Sequence, residues 1–301
     1  MRKRFPVFFS ASIVVAALAL YAPLAAQSSA TPSLISKAHS QRLSATDLSI
    51  GGDLAALPAA SRRYLSREDV LTLPQVTFTV TDDENFAGPT EITGVLLDDL
   101  ARALATQPAN DLVIAICSDQ YHAHYERAYL AAHRPVLVLK VNGQPSERWP
   151  KDAEGYGQEM GPYMISHAKF TPAFHILAHR DEPQIPWGEV GLEFRNEQKF
   201  MAAIASPRHA SDSDVQAGYR IAQQNCLRCH NMEDAGGQKA RHPWLVLSAW
   251  AIASPEHFAK YVRSPKAENQ HAEMPPNPSY DDATFHALIA YFRTFQSAEK
   301  P

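Results

Sequence analysis

Cysteine is scarce in this chain, with three in 301 residues. Two of them, Cys226 and Cys229, form the one Cys-x-x-Cys pair. A zinc site built from two such pairs is therefore excluded, although half a zinc site with His242, or a redox dithiol, stays open as an alternative. Cys117 is left with no intrachain partner and is expected to be buried rather than bridged, even in an oxidising compartment. Also lacking are a dense basic patch, a phosphate loop, a dinucleotide-binding glycine motif and a serine-protease-like triad. The first absence argues against a nucleic-acid partner. No internal repeat and no low-complexity tract is visible, and only the N-terminus carries a long apolar run. Apolar content and charge are ordinary, with a net charge of −4, as in a folded soluble protein.

What is present is concentrated in Cys226-Leu227-Arg228-Cys229-His230. Two thiols one helical turn apart can add to the two vinyl groups of a haem from one side. A histidine directly after the second thiol then turns to the iron. The motif predicts one covalently bound haem c, with His230 as the proximal ligand. Asp212 and its neighbours supply helix N-cap residues, and Val215 to Gln224 reads as a helix leading into the motif. A last helix is expected from about Asp281 to Phe295, with Leu288, Tyr291, Phe292 and Phe295 at helical spacing. It should cross the first helix where Gly218 leaves room. Met274 is the expected sixth ligand, because Pro275 and Pro276 stiffen the loop that would hold its thioether on iron. His271 is the alternative, with His242 and His257 behind it. The carbonyl of Pro243 is expected to accept the free ring N–H of His230, and Trp244 and Leu245 to pack near the haem. Residues 212–298 resemble the class I cytochrome c family, which implies an all-α domain. His242 stands where that family often has glycine.

The N-terminus begins with Arg2, Lys3 and Arg4, continues with an apolar run from Phe5 to about Leu20, and offers small residues at Leu24-Ala25-Ala26. These three parts predict a secretory signal peptide over residues 1–26, hence a bacterial periplasmic protein with no membrane span once the signal is removed. The apolar run is short for a retained anchor. Haem attachment agrees with export. Residues 27–65 are rich in Ala, Ser and Leu, and a loosely ordered segment is expected there.

Residues 66–205 then read as a separate α+β domain dominated by strands. A capped turn is expected at Ser66–Leu71, and strands at Val76–Val80, Leu112–Ile116, Val136–Val141 and Val190–Phe194. A helix is expected over Val95–Ala105. Asn142-Gly143 predicts a tight hairpin turn, and residues 206–211 a linker. Histidines gather at positions 122, 124, 133, 167, 175 and 179. His122 and His124 share a strand face. His175 and His179 would share a helix face if their segment were helical. Cys117, His122 and His124 form a candidate site for a metal or second redox centre, but with no compact metal spacing present the favoured expectation is a polar, partly exposed surface of hydrogen-bonded histidines.

The order Val70-Leu71-Thr72-Leu73-Pro74, Ile92-Thr93-Gly94-Val95-Leu96-Leu97, Ser118-Asp119-Gln120-Tyr121, Pro135-Val136-Leu137, Asn142-Gly143 and Gly161-Pro162 resembles the molybdopterin-binding domain of the sulfite oxidase family over about residues 66–195. That resemblance implies the fold. In that family a cysteine thiolate on the strand before the helix binds molybdenum, and the corresponding stretch Val76–Glu91 has no cysteine. No molybdopterin is therefore expected. The favoured expectation is an electron-transfer protein whose first domain docks a periplasmic dehydrogenase or another cytochrome. The alternative is a molybdenum- or other metal-dependent dehydrogenase passing electrons to its own haem, as in sulfite dehydrogenases.

Overall fold

The computed structural model describes residues 34–295, apart from 55–56, 59–60, 105, 107–108, 154–156 and 206–210. The predicted signal peptide and most of the predicted linker lie outside the described residues. The chain runs β1 (Leu48–Gly52), β2 (Arg63–Leu65), α1 (Arg67–Leu71), β3 (Val76–Val80), β4 (Thr90–Leu96), α2 (Leu97–Ala103), β5 (Leu112–Cys117), β6 (His122–Glu126), α3 (Arg127–His133) and β7 (Val136–Val141). It continues through β8 (Tyr163–Ser166), β9 (His175–Ile176), β10 (His179–Arg180), β11 (Trp187–Arg195) and α4 (Glu197–Met201). The C-terminal third is helical, with α5 (Ser213–Asn225), α6 (Trp244–Ala253), α7 (Pro255–Arg263), α8 (Pro265–Glu268) and α9 (Asp282–Arg293). The class is α+β, as expected, with a mixed sheet followed by helices.

The main sheet has the order β2-β1-β11-β8-β7-β4-β3, with β5 branching from β11 and pairing with β6. β1 runs parallel to β11 and the other pairs are antiparallel. The sequence expectation of a loose segment over 27–65 is corrected by β1 and β2. Leu48 and Ile50 are fully buried, and β1 lies between β2 and β11. The segment is too short and too rich in small residues to announce itself. Its small residues are nevertheless what the pairing uses, because a Cβ on Gly191 would come within 3.0 Å of the Ser49 Cβ.

The helix expected from Val95 starts later. Val95 and Leu96 stay in β4, paired with Leu137 and Val136 of β7, and α2 begins at Leu97. Ser66 caps α1 by accepting from the Asp69 N–H. Asn142 and Gly143 both take positive φ, 49° and 71°, in the turn after β7, the backbone that a two-residue hairpin turn requires. His175 and His179 do not share a helix; they sit on opposite strands of the small β9–β10 hairpin.

The alternation of β5 ties the two regions together. Val113 and Ala115 enter the sheet's own core. Leu112 and Ile114 enter a second core with Val215, Ile221 and Ala222 of α5. Strand and helices thus bury one another's apolar faces, and the described residues form a single compact unit. No helix among the described residues is long and apolar enough to cross a membrane.

α5 and α9 cross at Gly218, as the sequence suggested. A Cβ there would lie 2.0 Å from the Ala287 carbonyl oxygen and 2.7 Å from the Tyr291 Cβ. Gly218→Ala is expected to cost about 1–3 kcal/mol by overpacking, read as a lowered thermal midpoint. Arg220→Ala on the exposed face of α5 should stay within about 0.5 kcal/mol of the parent.

Candidate haem-attachment site

Asp212 opens α5 by accepting from the Asp214 and Val215 N–H groups. The helix ends in a 3-10 turn over Cys226–Arg228. The N–H groups of Cys229 and His230 both donate to the Cys226 carbonyl, at 3.2 and 3.0 Å. One turn therefore carries both thiols and the imidazole. Leu227 roots it in the core, fully buried. Behind it, Gly237 N–H donates to the Leu227 carbonyl at 2.8 Å. A Cβ on Gly237 would fall 2.0 Å from the Arg228 carbonyl oxygen, so only glycine allows this approach.

His230 Nδ1 lies 2.6 Å from the backbone carbonyl of His242. A carbonyl only accepts, so Nδ1 carries the proton and Nε2 keeps its lone pair. The acceptor differs from the Pro243 carbonyl that the sequence suggested. Pro243 instead serves as the N-cap residue of α6, which turns its carbonyl along the helix, where it accepts from the Val246 and Leu247 N–H groups. Trp244 is fully buried, with its ring against Tyr291 and Phe292 at centroid distances of 6.1 and 5.2 Å. Its indole N–H is buried without a partner. Leu245 is not packed in this core; it is 53% exposed, because it follows Trp244 onto the outer side of α6.

Met274 is half-buried and packs against the same core as Cys226 and Tyr219. His271, the alternative, is exposed. Asn225 links the turn of the two cysteines to the segment after Met274, a role the sequence did not disclose. Its side-chain NH₂ donates to the Asn277 Oδ1 at 2.8 Å and to the Tyr280 hydroxyl at 3.0 Å. Asn277 also donates to the Val262 carbonyl at 3.2 Å. The residue just before the first thiol thus holds the loop that follows Met274. Tyr280 in turn donates to Nδ1 of His179 at 2.8 Å, and His179 Nε2–H donates to Gln224 Oε1 at 3.1 Å.

The donor set suits a haem. It comprises two thiols on one turn, an imidazole with one nitrogen engaged and the other free, and a thioether at the edge of an aromatic core. It does not suit the rival readings. A redox dithiol needs a depressed thiol pKa, whereas burial pushes Cys226 up to about 12 and Cys229 up to about 11. Among the described residues no group of three or more His, Cys, Asp or Glu side chains is arranged to hold a metal ion.

The candidate site in the strand-rich region separates into unconnected parts. Cys117 is 3% exposed and stands opposite Glu189 of β11. Burial, then the Glu189 charge, raises its thiol pKa well above the ordinary value. His122 and His124 lie on β6 opposite Ile116 and Ile114, facing the helical region. Both ring nitrogens of His124 are buried without a partner, and burial pushes its pKa well down. The other histidines are held one by one. His133 Nε2 pairs with Asp181 at 2.8 Å, and the Tyr129 hydroxyl bonds His167 Nε2 at 2.7 Å.

Residues 213–292 match the family model described as cytochrome c oxidase, cbb3-type, subunit III. No curated protein matches the chain. Among solved structures, the sulfane dehydrogenase SoxCD from Paracoccus pantotrophus is similar at 15% identity, with a TM-score of 0.36, over 52% of this chain. The match spans 40% of that protein's chain.

Glu126, at the end of β6, accepts from the Gln223 side chain of α5 at 3.1 Å. Burial, then the Glu197 charge, raises its carboxyl pKa to about 7. A carboxyl whose folded pKa is raised contributes stability at low pH and loses it as pH rises through the folded value. Chemical denaturation should therefore find stability falling by up to about 3 kcal/mol between pH 4.5 and 8. Glu126→Gln should flatten that part of the profile and leave the protein more stable at pH 8.

Proposed function

We propose that this chain, whose residues 213–292 are a cytochrome c domain, is a periplasmic electron-transfer protein carrying one haem c. Cys226 and Cys229 would hold the haem by thioether bonds, and His230 and Met274 would ligate its iron. The observation that carries this reading is the His230–His242 hydrogen bond of 2.6 Å. It fixes the imidazole's tautomer and orientation, so that Nε2 is the only ring nitrogen free for iron. When bound, the haem supplies a one-electron couple at the iron. The chain's residues keep the imidazole basic, hold the thioether loop through Asn225 and Asn277, and surround the site with aromatic side chains that exclude water.

The strand-rich region is proposed to dock a redox partner, a dehydrogenase or a second cytochrome. The competing reading, an enzyme feeding its own haem, needs a thiolate to bind molybdenum. No cysteine stands in Val76–Glu91, where the sulfite oxidase family carries its molybdenum-binding thiolate, which supports the carrier.

Two measurements test this reading. The alkaline pyridine spectrum of the purified protein should report one thioether-linked haem per chain. Met274→Ala should keep that haem but abolish the near-infrared band of methionine-to-ferric-iron ligation; a surviving band would assign the ligand elsewhere. Cys117→Ser should leave metal content and haem reduction by an external donor unchanged. Loss of molybdenum together with substrate-driven haem reduction would instead make the protein an enzyme.

A further inference from the structure

Arg228 lies between the two cysteines of the attachment turn, yet its side chain is only 12% exposed. It extends into the strand-rich region. The guanidinium lies beside the Tyr121 side chain and stands 3.9 Å from the Glu182 carboxylate. Its Nε–H is buried without a partner. A buried cation is ordinarily neutralised by close, well-formed ion pairs. Here the ion pair is long and its carboxylate 47% exposed.

The surrounding groups do not complete the neutralisation. On β6, burial pushes the pKa values of His122 and His124 down, so both are neutral. Glu126 adds only a minor charge contact, since burial raises its carboxyl pKa to about 7 and Arg228 is the least of the influences on it. Lys239 is occupied by Asp119 at 2.6 Å. The positive charge of Arg228 therefore has one long, partly exposed ion-pair partner, and it lies close enough to act electrostatically on both cysteine sulfurs.

A fixed positive charge beside a haem disfavours the ferric state, which carries one more positive charge than the ferrous. The effect is strong only where water is kept out. An arginine left open to solvent on such a turn would have its charge screened. Here Tyr121, Glu182 and the β6 face cover it.

We propose that Arg228, enclosed by the strand-rich region, is the residue that raises the haem's midpoint potential, and that Glu182 trims this effect in the opposite direction. This inference rests on the haem assignment above. It gives the strand-rich region a role within the chain, as a low-dielectric cover that turns an arginine of the attachment turn into a potential-setting charge.

The test is redox titration of the intact haem protein, with the alkaline pyridine spectrum of every variant taken first. Absence of haem from the parent protein would defeat the haem assignment rather than this inference. At a fixed poise, Arg228→Gln should raise the ferric-to-ferrous ratio about tenfold, equivalent to about 59 mV for one electron. Arg228→Lys should recover most of that shift. Glu182→Gln, at a half-exposed position, should lower the ratio by about twofold, the scale of a partly exposed ion pair. The inference is overturned if Arg228→Gln leaves the potential unchanged, or if the Lys variant shifts it as far as the Gln variant. Should the Arg228 variants fail to fold, Glu182→Gln decides alone. A ratio lowered there supports the assignment, and an unchanged or raised ratio removes it.

Discussion

The close crossing of α5 and α9 at Gly218 is the constraint on which the rest of the C-terminal region depends. With no side chain at that point, the α9 backbone comes almost into contact with α5. That approach brings Tyr291 beside Trp244 and lets the Tyr291 hydroxyl reach the Ile204 carbonyl at 2.7 Å. The contact sets where α5 ends, and α5 ends in the turn that carries both thiols. Close packing at one position thus fixes the placement of a reactive turn two helical turns away.

The second feature is how completely that turn is enclosed by backbone. Gly237 presses on the Arg228 carbonyl from one side, and the next residue, Gln238, donates to the Gln120 carbonyl of the strand-rich region at 2.9 Å. The turn is therefore sandwiched between its own following loop and the β5–β6 hairpin. Rigid support of this kind matters for one-electron chemistry, because a ligand set that moves little between oxidation states wastes little energy in rearrangement. Asn225 and Asn277 extend the same support to the segment bearing Met274.

Buried polar groups divide between the two regions in an informative way. Tyr129, His133, His167, Asp181 and Gln184 of the strand-rich region find partners among themselves, as buried polar groups must. His124, Glu189, Arg228 and Trp244 retain unpartnered atoms. Arg228 belongs to the turn between the cysteines and His124 faces it from β6, whereas Trp244 packs on Tyr291 and Phe292 within the helical core. Among the described residues, His124 and Arg228 thus put unpartnered polar atoms where the cytochrome domain and the sheet meet.

Much of the chemistry was legible in the sequence because it is local. Cys226, Cys229 and His230 are adjacent in the chain, and the caps at Ser66, Asp212 and Asp281 act within one turn. The Asn142-Gly143 turn and the strands β3, β5 and β7 were readable for the same reason, from alternation and short-range turn chemistry. The tertiary structure decided what depends on partners distant in sequence. β1 was invisible because a parallel strand of small residues owes its order to β11, some 140 positions away. The His230 acceptor proved to be His242 rather than Pro243, since the start of α6 claims the proline carbonyl. The paired seat of Asn225 on Asn277, and the burial of Arg228 beneath Tyr121 and Glu182, exist only once the sheet is packed on the helices. Neighbouring residues specify which atoms can react; the solvent and charge those atoms experience are set by whatever the fold brings over them.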